Sequence, residues 1–164
     1  MKLYIVRHAI AEERGKKNYP NDDRPLTKPG IRKMQKNAEA IAKFVDSPVS
    51  IISSPLKRAY HTSEILLSKL NKSSTITRSD SLLPETTVEN IKQLCTNHST
   101  TGITMIVGHE PALGKFISAI LRHKGELFSL KKGSICLIEF NIQQPNNSEL
   151  LLYIPPKVLR KYAR

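Results

Sequence analysis

The sequence predicts one α/β domain, a three-layer α/β/α sandwich whose central sheet is mainly parallel. Two observations predict this fold class. Short apolar runs alternate along the chain with segments in which apolar residues recur at helical spacing, and the central runs are continuously apolar, as strands buried on both faces are. The chain has 164 residues with no internal repeat and no linker, so we assign residues 1–164 to a single domain.

The first elements follow one another closely. Residues 3–6 form a short apolar run that predicts a strand. Apolar positions at helical spacing between residues 31 and 45 predict a helix, for which Thr27 is a suitable N-cap. The run VSIISS at residues 49–54 is typical of a buried strand, so the chain begins with the pattern strand, helix, strand.

The same alternation continues to the C-terminus. We expect Ser54 to cap a second helix, with Pro55 at its first position. The remaining elements are strand 74–78, helix 87–97, strand 103–108, helix 111–122, and two closing strands, 134–142 and 149–154. The turn-rich segment QQPNNS joins the closing strands. The basic segment 157–164 is the only candidate for a tail.

The charge of the chain raises the question of an anionic partner. Net charge is +12, from 26 basic and 14 acidic residues. The lysines and arginines are spread through the first helix, the polar loop and the C-terminus, so we expect a solvated basic surface rather than one binding stripe. Aromatic residues make up 5% of the chain and tryptophan is absent, which leaves few surfaces for base stacking. A nucleic-acid-binding module without catalysis is therefore the remote alternative, and we expect no nucleic-acid partner.

Other features of the sequence indicate where the protein is located. No apolar run approaches the length of about 20 residues that spans a bilayer, so we expect no membrane contact. Strand-like sequence starts at Lys2, so we expect no secretory signal. Cys95 and Cys136 fall in no metal-binding or redox spacing, which favours a reducing compartment and a role in core packing. We expect a cytoplasmic monomer that uses no cofactor.

Arginines and histidines occur where three of the predicted strands end. Arg7 and His8 follow the first strand, and Arg58 lies in the first turn of the helix after the second. His109 follows the strand at 103–108. Because ligands of open α/β sheets bind beyond the carboxyl ends of the strands, we expect these four side chains to meet in one pocket.

This set of side chains suits phosphoryl transfer. A neutral imidazole is a competent nucleophile toward phosphorus, and neighbouring cations lower its pKa, so we assign that role to His8. The transferring group spreads negative charge over three oxygens, which Arg7, Arg58 and His109 can meet with hydrogen bonds. A zinc site of the type H-E-x-x-H would need a second histidine where Leu113 stands, so we expect no metal.

Four motifs carry these residues and their neighbours: RHA at 7–9, RPLTKPG at 24–30, SSPLKRAYHT at 53–62 and VGHEP at 107–111. In this order and at these separations they resemble the histidine phosphatase superfamily, whose fold is phosphoglycerate-mutase-like. Within that superfamily the short length and the RPLT element are most similar to the SixA-type phosphohistidine phosphatases. The resemblance extends from residue 2 to about residue 155.

The resemblance implies a phosphatase in which His8 becomes transiently phosphorylated while the other three strand-end residues hold the phosphoryl group. It also implies that Arg24, in RPLT, reaches the substrate pocket. Glu85 stands where members that act on alkyl phosphates carry their general acid. The expected substrate is phosphohistidine on a phosphotransfer protein. The alternative is a small phosphorylated molecule, cleaved by a phosphomonoesterase of the same superfamily.

Overall fold

The structure, a computed structural model, describes residues 1–15, 19–45, 49–70, 73–98 and 103–163. Its strands are β1 (Lys2–Arg7), β2 (Ser50–Ser53), β3 (Thr75–Arg78), β4 (Ile103–Gly108), β5 (Ile135–Glu139) and β6 (Glu149–Ile154). Its helices are α1 (Lys28–Ala42), α2 (Lys57–Leu67), α3 (Val88–Asn97), α4 (Ala112–Ile120) and α5 (Pro156–Leu159). Among the helices of these ranges, none combines the length and the apolar character that crossing a bilayer requires.

The strands form one six-stranded sheet in the order β3-β2-β4-β1-β5-β6. Strands β3, β2, β4 and β1 run parallel to one another, and β5 pairs antiparallel with β1. The two closing strands, β5 and β6, pair antiparallel at one side. The prediction of a mainly parallel sheet is confirmed, and the antiparallel part is the hairpin that the turn-rich segment joins.

Buried side chains alternate across the sheet and form a core on each face. Val6 packs with α1, α2 and α5 in one cluster of buried residues. Ile5 packs with α3 and α4 in the other cluster, which also contains Cys95 and Cys136 as buried free thiols. This burial on two faces explains why the central strands are continuously apolar in sequence.

Helix α2 begins later than the sequence predicts. Its first residue is Lys57 rather than Pro55, and Ser54 does not cap it. The backbone N–H of Lys57 instead donates to the Asp23 carboxylate at 2.7 Å, a contact over 34 positions that the local sequence cannot reveal. The Ser54 hydroxyl accepts only a long hydrogen bond, at 3.4 Å, from the Leu56 N–H just before the helix. The predicted cap of α1 is confirmed, since the Thr27 hydroxyl accepts a backbone hydrogen bond in the first turn at 3.0 Å.

The candidate tail at 157–164 begins as part of a docked helix. Helix α5 packs against α1, and Leu159 belongs to the core with 2% of its surface exposed. Beyond it, the Arg160 guanidinium donates to the side chain of Asn37 on α1 at 3.4 Å. The start of this segment is therefore folded onto the domain, which corrects the prediction of a tail that begins at residue 157.

Candidate active site

The carboxyl ends of β1, β2 and β4 are joined by hydrogen bonds that continue past the strands. The N–H of His8 donates to the Gly108 carbonyl at 3.0 Å, and the N–H of Ser54 donates to the Val107 carbonyl at 2.9 Å. The segments that leave these three strands therefore start from one edge of the sheet. Residues far apart in sequence meet there because the parallel strands end together.

The four strand-end residues of the sequence prediction lie in one cluster at this edge. The ring centroids of His8 and His109 are 5.0 Å apart, with 53° between the ring planes. Both imidazoles are buried, and only 2% of Arg58 is exposed. The positive charges of Arg7 and Arg58 act on both rings. The cluster thus combines two imidazoles with two guanidinium groups, the composition that an oxyanion requires.

A hydrogen bond determines which nitrogen of His8 is free. The Nδ1 atom lies 2.7 Å from the Ala9 carbonyl, which can only accept, so Nδ1 carries the ring proton. The lone pair is then on Nε2, the atom available for attack. Ala9 is itself held, because its N–H donates to the Thr62 hydroxyl at 3.0 Å, and that hydroxyl donates to the Arg58 carbonyl at 2.6 Å. Thr62 therefore ties the nucleophile's loop to the helix that carries Arg58.

Burial keeps both imidazoles neutral. Burial, followed by the charges of Arg58 and Arg7, lowers the pKa of His8 to about 3, although the hydrogen bond to the Ala9 carbonyl opposes this shift. Burial, followed by the neighbouring His8 and Arg58, lowers the pKa of His109 to about 2. Near neutral pH, His8 therefore presents an unprotonated nitrogen without needing a base to remove a proton.

These shifts predict that acid destabilises the fold before most carboxylates titrate. Between the unfolded-state pKa of about 6.5 and the folded values, the unfolded chain binds more protons than the native state. Each buried histidine then lowers the free energy of unfolding by up to about 1.4 kcal/mol per pH unit as pH falls. Urea unfolding at pH 7 and pH 5 measures this loss. The double variant His8→Gln/His109→Gln is expected to show a clearly shallower pH dependence, and an equally steep one would contradict the assignment.

Arg58 is held in place by Asp22, a residue that the sequence analysis missed. The Arg58 guanidinium donates to the Asp22 carbonyl at 2.6 Å and lies 3.3 Å from its carboxylate. Asp22 adopts a left-handed backbone conformation with φ of 56°, which aspartate tolerates better than most residues. The acidic pair directly before RPLT was the available signal, but only the folded loop shows that one of the two reaches Arg58.

Asp22 also binds the arginine of RPLT. The Nε atom of Arg24 lies 2.6 Å from the Asp22 carboxylate, and its Nη1 donates to the Glu12 carbonyl at 2.6 Å. The Nη2 atom of Arg14 donates to the same carboxylate at 2.8 Å. Hydrogen bonds from Arg24 and Arg14 hold the pKa of the Asp22 carboxyl well below its usual range, so the group is ionised. Arg24 and Arg58 therefore share the Asp22 carboxylate. Among the described contacts, none joins Arg24 directly to His8.

Arg7 is fixed by a contact outside the Asp22 loop. Its Nη1 donates to the Leu130 carbonyl at 2.6 Å. The carboxylate of Glu110 accepts from the Leu130 N–H at 2.8 Å and from the Gly114 N–H at 3.3 Å. Glu110 therefore binds the segment that carries the acceptor of Arg7, and burial raises the pKa of this carboxyl. This positioning role was also missed, although Glu110 lies next to His109 in VGHEP.

Three buried nitrogen atoms of the cluster have no hydrogen-bond partner in the described part of the chain: Nε of Arg7, Nε of Arg58 and Nδ1 of His109. His109 Nε2 lies 2.8 Å from the Ser54 hydroxyl, and if that hydroxyl donates, Nδ1 carries the ring proton. Unpaired buried donors are costly, and the oxygens of a phosphoryl group match them in number and charge. In the ranges that the structure describes, no group of three or more His, Cys, Asp or Glu residues could hold a metal ion.

The structure does not bring Glu85 into this cluster by any described contact. Its side chain is exposed, between the turn that ends at Leu82 and the start of α3. The backbone of Leu82 does lie against Gly108, since a Cβ built there would be 3.4 Å from the Leu82 carbonyl oxygen. Glu85 is therefore on the segment next to the site, and its role as general acid stays a prediction.

Comparison with known proteins agrees with this geometry. Residues 3–89 match the model of the histidine phosphatase superfamily (branch 1). An uncharacterized protein of Picosynechococcus sp. is 30% identical, over 97% of this chain and 99% of its own length. The structure of the protein histidine phosphatase SixA complexed with tungstate superposes with a TM-score of 0.83, at 19% identity over 96% of this chain and 98% of that one.

An α-ribazole phosphatase from Shigella flexneri shares the fold as well, with a TM-score of 0.75 at 18% identity over 95% of this chain and 97% of that one. Similarity at this level of identity shows the fold, whereas the family match rests on sequence. That match covers more than half of the chain and includes the strand-end residues His8 and Arg58. The chain therefore belongs to the histidine phosphatase superfamily, branch 1, and is a phosphatase of that family.

Proposed function

We propose that the protein removes phosphoryl groups from phosphohistidine on phosphotransfer proteins, using His8 as the nucleophile. The observation that carries this proposal is the neutral imidazole of His8, whose Nδ1 is bound to the Ala9 carbonyl and whose Nε2 is left free beside two arginines. Nothing further has to activate such a nitrogen, because in-line placement and positive donors supply most of the catalysis in phosphoryl transfer.

The reaction has two displacements. In the first, a bond forms between His8 Nε2 and phosphorus while the bond from phosphorus to the substrate imidazole breaks, and that imidazole takes up a proton from solvent. In the second, water attacks the phosphorus and the bond to Nε2 breaks, which releases inorganic phosphate and restores neutral His8. In both steps Arg7 and Arg58 donate to the oxygens of the transferring group, and His109 adds a further donor.

The state of the nearby carboxyl groups favours a phosphoramidate over an alkyl ester. Cleaving an alkyl phosphate needs an acid to protonate the leaving alkoxide, whereas an imidazole leaves more easily. Asp22 is ionised between arginines and cannot supply a proton. Both oxygens of Glu110 accept backbone hydrogen bonds, and Glu85 is exposed without a partner among the described residues. None of the three is held as an acid beside His8.

The test compares a phosphohistidine-bearing phosphotransfer domain with an alkyl ester such as phosphoserine. We expect kcat/KM for the domain to exceed that for the ester by at least about 100-fold, since only the imidazole leaves without an acid. Glu85→Gln is expected to change the rate on the domain by less than about threefold, and Glu89→Gln on the neighbouring helix is the matched control.

Two outcomes would contradict the proposal. A higher kcat/KM for phosphoserine than for the domain would identify a small-molecule phosphomonoesterase. A large loss with Glu85→Gln on both substrates would show that Glu85 acts as the acid even for a phosphoramidate, so that the carboxyl groups no longer favour that substrate.

A further inference from the structure

A basic cavity lies beside the active site and is not part of it. Its volume is about 250 Å³, and Ala9 and Ile10, which directly follow His8, line its wall. The other lining residues include five cationic side chains: Lys33, Lys131, Lys132, Lys157 and Arg160. No aspartate or glutamate lines this cavity within the described residues. The cavity therefore combines a position next to the nucleophile with a concentrated positive charge.

A second basic cavity continues from the first along α1. It shares Lys33 and Arg160 with the first cavity and adds Arg32 and Lys36, which lie one helical turn apart. We call the two cavities together the basic groove. In the sequence these charges are scattered, which predicts a solvated basic surface. The fold instead brings α1, α5 and the segment before β5 together, so that their cations line one groove.

Buried polar contacts tie the groove to the loop of the nucleophile. Asn37, which is 2% exposed, donates to the Gly133 carbonyl at 2.9 Å and accepts from Arg160 at 3.4 Å. The N–H of Gly133 donates to the Arg7 carbonyl at 3.0 Å and also lies 3.2 Å from the His8 carbonyl. Gly133 has a positive φ of 77°, and a Cβ there would lie 2.9 Å from the Asn37 amide nitrogen. The wall of the groove is therefore hydrogen-bonded to the segment that carries Arg7 and His8.

The cations of the groove form no ion pair with any described residue. Lysines elsewhere on the surface do so, such as Lys57 with Asp23 at 3.3 Å and Lys69 with Glu39 at 3.2 Å. Lys132 marks the end of the groove nearest the active site, since it directly precedes Gly133, whose N–H lies within 3.2 Å of the Arg7 and His8 carbonyls. Unpaired cations in a concave surface attract an anionic partner, because no existing ion pair has to be broken before the partner binds.

We propose that the basic groove docks an acidic segment of the phosphorylated protein whose phosphohistidine enters at His8, an inference that rests on the proposed function. The cations are spread along the groove rather than gathered at one point, which matches several carboxylates spaced along a polypeptide. Ala9 and Ile10, the two residues after His8, line the groove, so its occupant and the phosphorylated side chain can belong to one molecule. A small phosphorylated molecule bound at His8 would not extend along the groove to Lys36.

The charge-reversal variant Lys33→Glu/Lys157→Glu tests the docking. Both residues lie in the groove and neither contacts the active-site cluster. The control, Lys115→Glu/Lys124→Glu, makes the same change in net charge at exposed positions outside the groove. The probe is a fluorescently labelled phosphotransfer domain with an acidic surface, and anisotropy measures its Kd. We expect the groove variant to weaken binding about tenfold or more and the control to change it less than about twofold.

Kinetics separate this inference from the proposed function. The groove variant is expected to raise KM for the phosphorylated domain about tenfold while hydrolysing p-nitrophenyl phosphate like the wild type. Equal domain binding by the groove variant and the control would overturn the docking site, whatever the catalytic result. Binding of the domain by the wild type without its dephosphorylation would overturn the proposed function instead. Preferential binding of a short single-stranded DNA in the groove would identify nucleic acid as the occupant and contradict the proposal.

Discussion

His8→Ala is expected to lower kcat/KM by about 10⁴-fold or more for every phosphorylated substrate, because the variant has no atom that can accept the phosphoryl group. The remaining donors, Arg7, Arg58 and His109, can still bind the group, so binding of substrate should survive. The effect should therefore appear in kcat far more than in KM. Steady-state hydrolysis of p-nitrophenyl phosphate measures it, since that substrate requires no docking surface.

A matched control separates loss of the nucleophile from loss of the fold. His123→Ala removes an exposed imidazole outside the cluster and should retain full activity. Both variants should show the same far-ultraviolet circular dichroism as the wild type. If folded His8→Ala hydrolysed p-nitrophenyl phosphate within about tenfold of the wild type, the assignment of the nucleophile would be wrong.

Arg58→Ala is expected to reduce kcat/KM by about 10² to 10³, the usual cost of removing one preorganised donor from a developing negative charge. The guanidinium is buried and held by the carbonyl and carboxylate of Asp22, so its donors are oriented before substrate arrives. Lysine has the charge without the planar fork and cannot make the same pair of contacts. Arg58→Lys should therefore recover only a small part of the loss.

Activity on p-nitrophenyl phosphate and the affinity for vanadate measure this effect together. The control is Arg78→Lys, because Arg78 is exposed and stacks on the Tyr60 ring at 3.8 Å, outside the cluster. Since Arg58 is buried, thermal unfolding must show that each variant is folded at the assay temperature. Full activity of a folded Arg58→Lys variant would show that charge alone suffices, contrary to the geometric role assigned here.

The placement of the strand-end residues could be predicted because it depends on local pattern. Apolar runs mark where β1 and β4 end, and the chemistry-bearing His8 and His109 follow directly in sequence. Parallel strands that end at one edge bring such residues together whatever their separation along the chain. The same pattern predicts the mainly parallel sheet. Strands covered on both faces have no solvent-exposed face, so apolar and polar residues do not alternate along them.

The residues that hold the site could not be predicted, because their contacts join distant segments through side chains. Asp22 reaches Arg58 over 36 positions, and Asn37 reaches Gly133 over 96. The N-terminus of α2 was misplaced for the same reason, since its acceptor is Asp23 in another loop. Neither periodicity nor propensity carries information about such pairs, and only packing brings them into contact.

Trapping the phosphoenzyme tests most directly whether His8 carries the phosphoryl group. Wild-type protein is mixed with a phosphohistidine-bearing domain labelled with phosphorus-32, quenched in alkali during turnover, and digested for mass spectrometry. The label is predicted on the peptide that contains His8, in a linkage that is stable in alkali and lost in acid, and it should be absent from His8→Ala. Rapid turnover by the wild type with the label on any other residue, or equal labelling of His8→Ala, would contradict this mechanism.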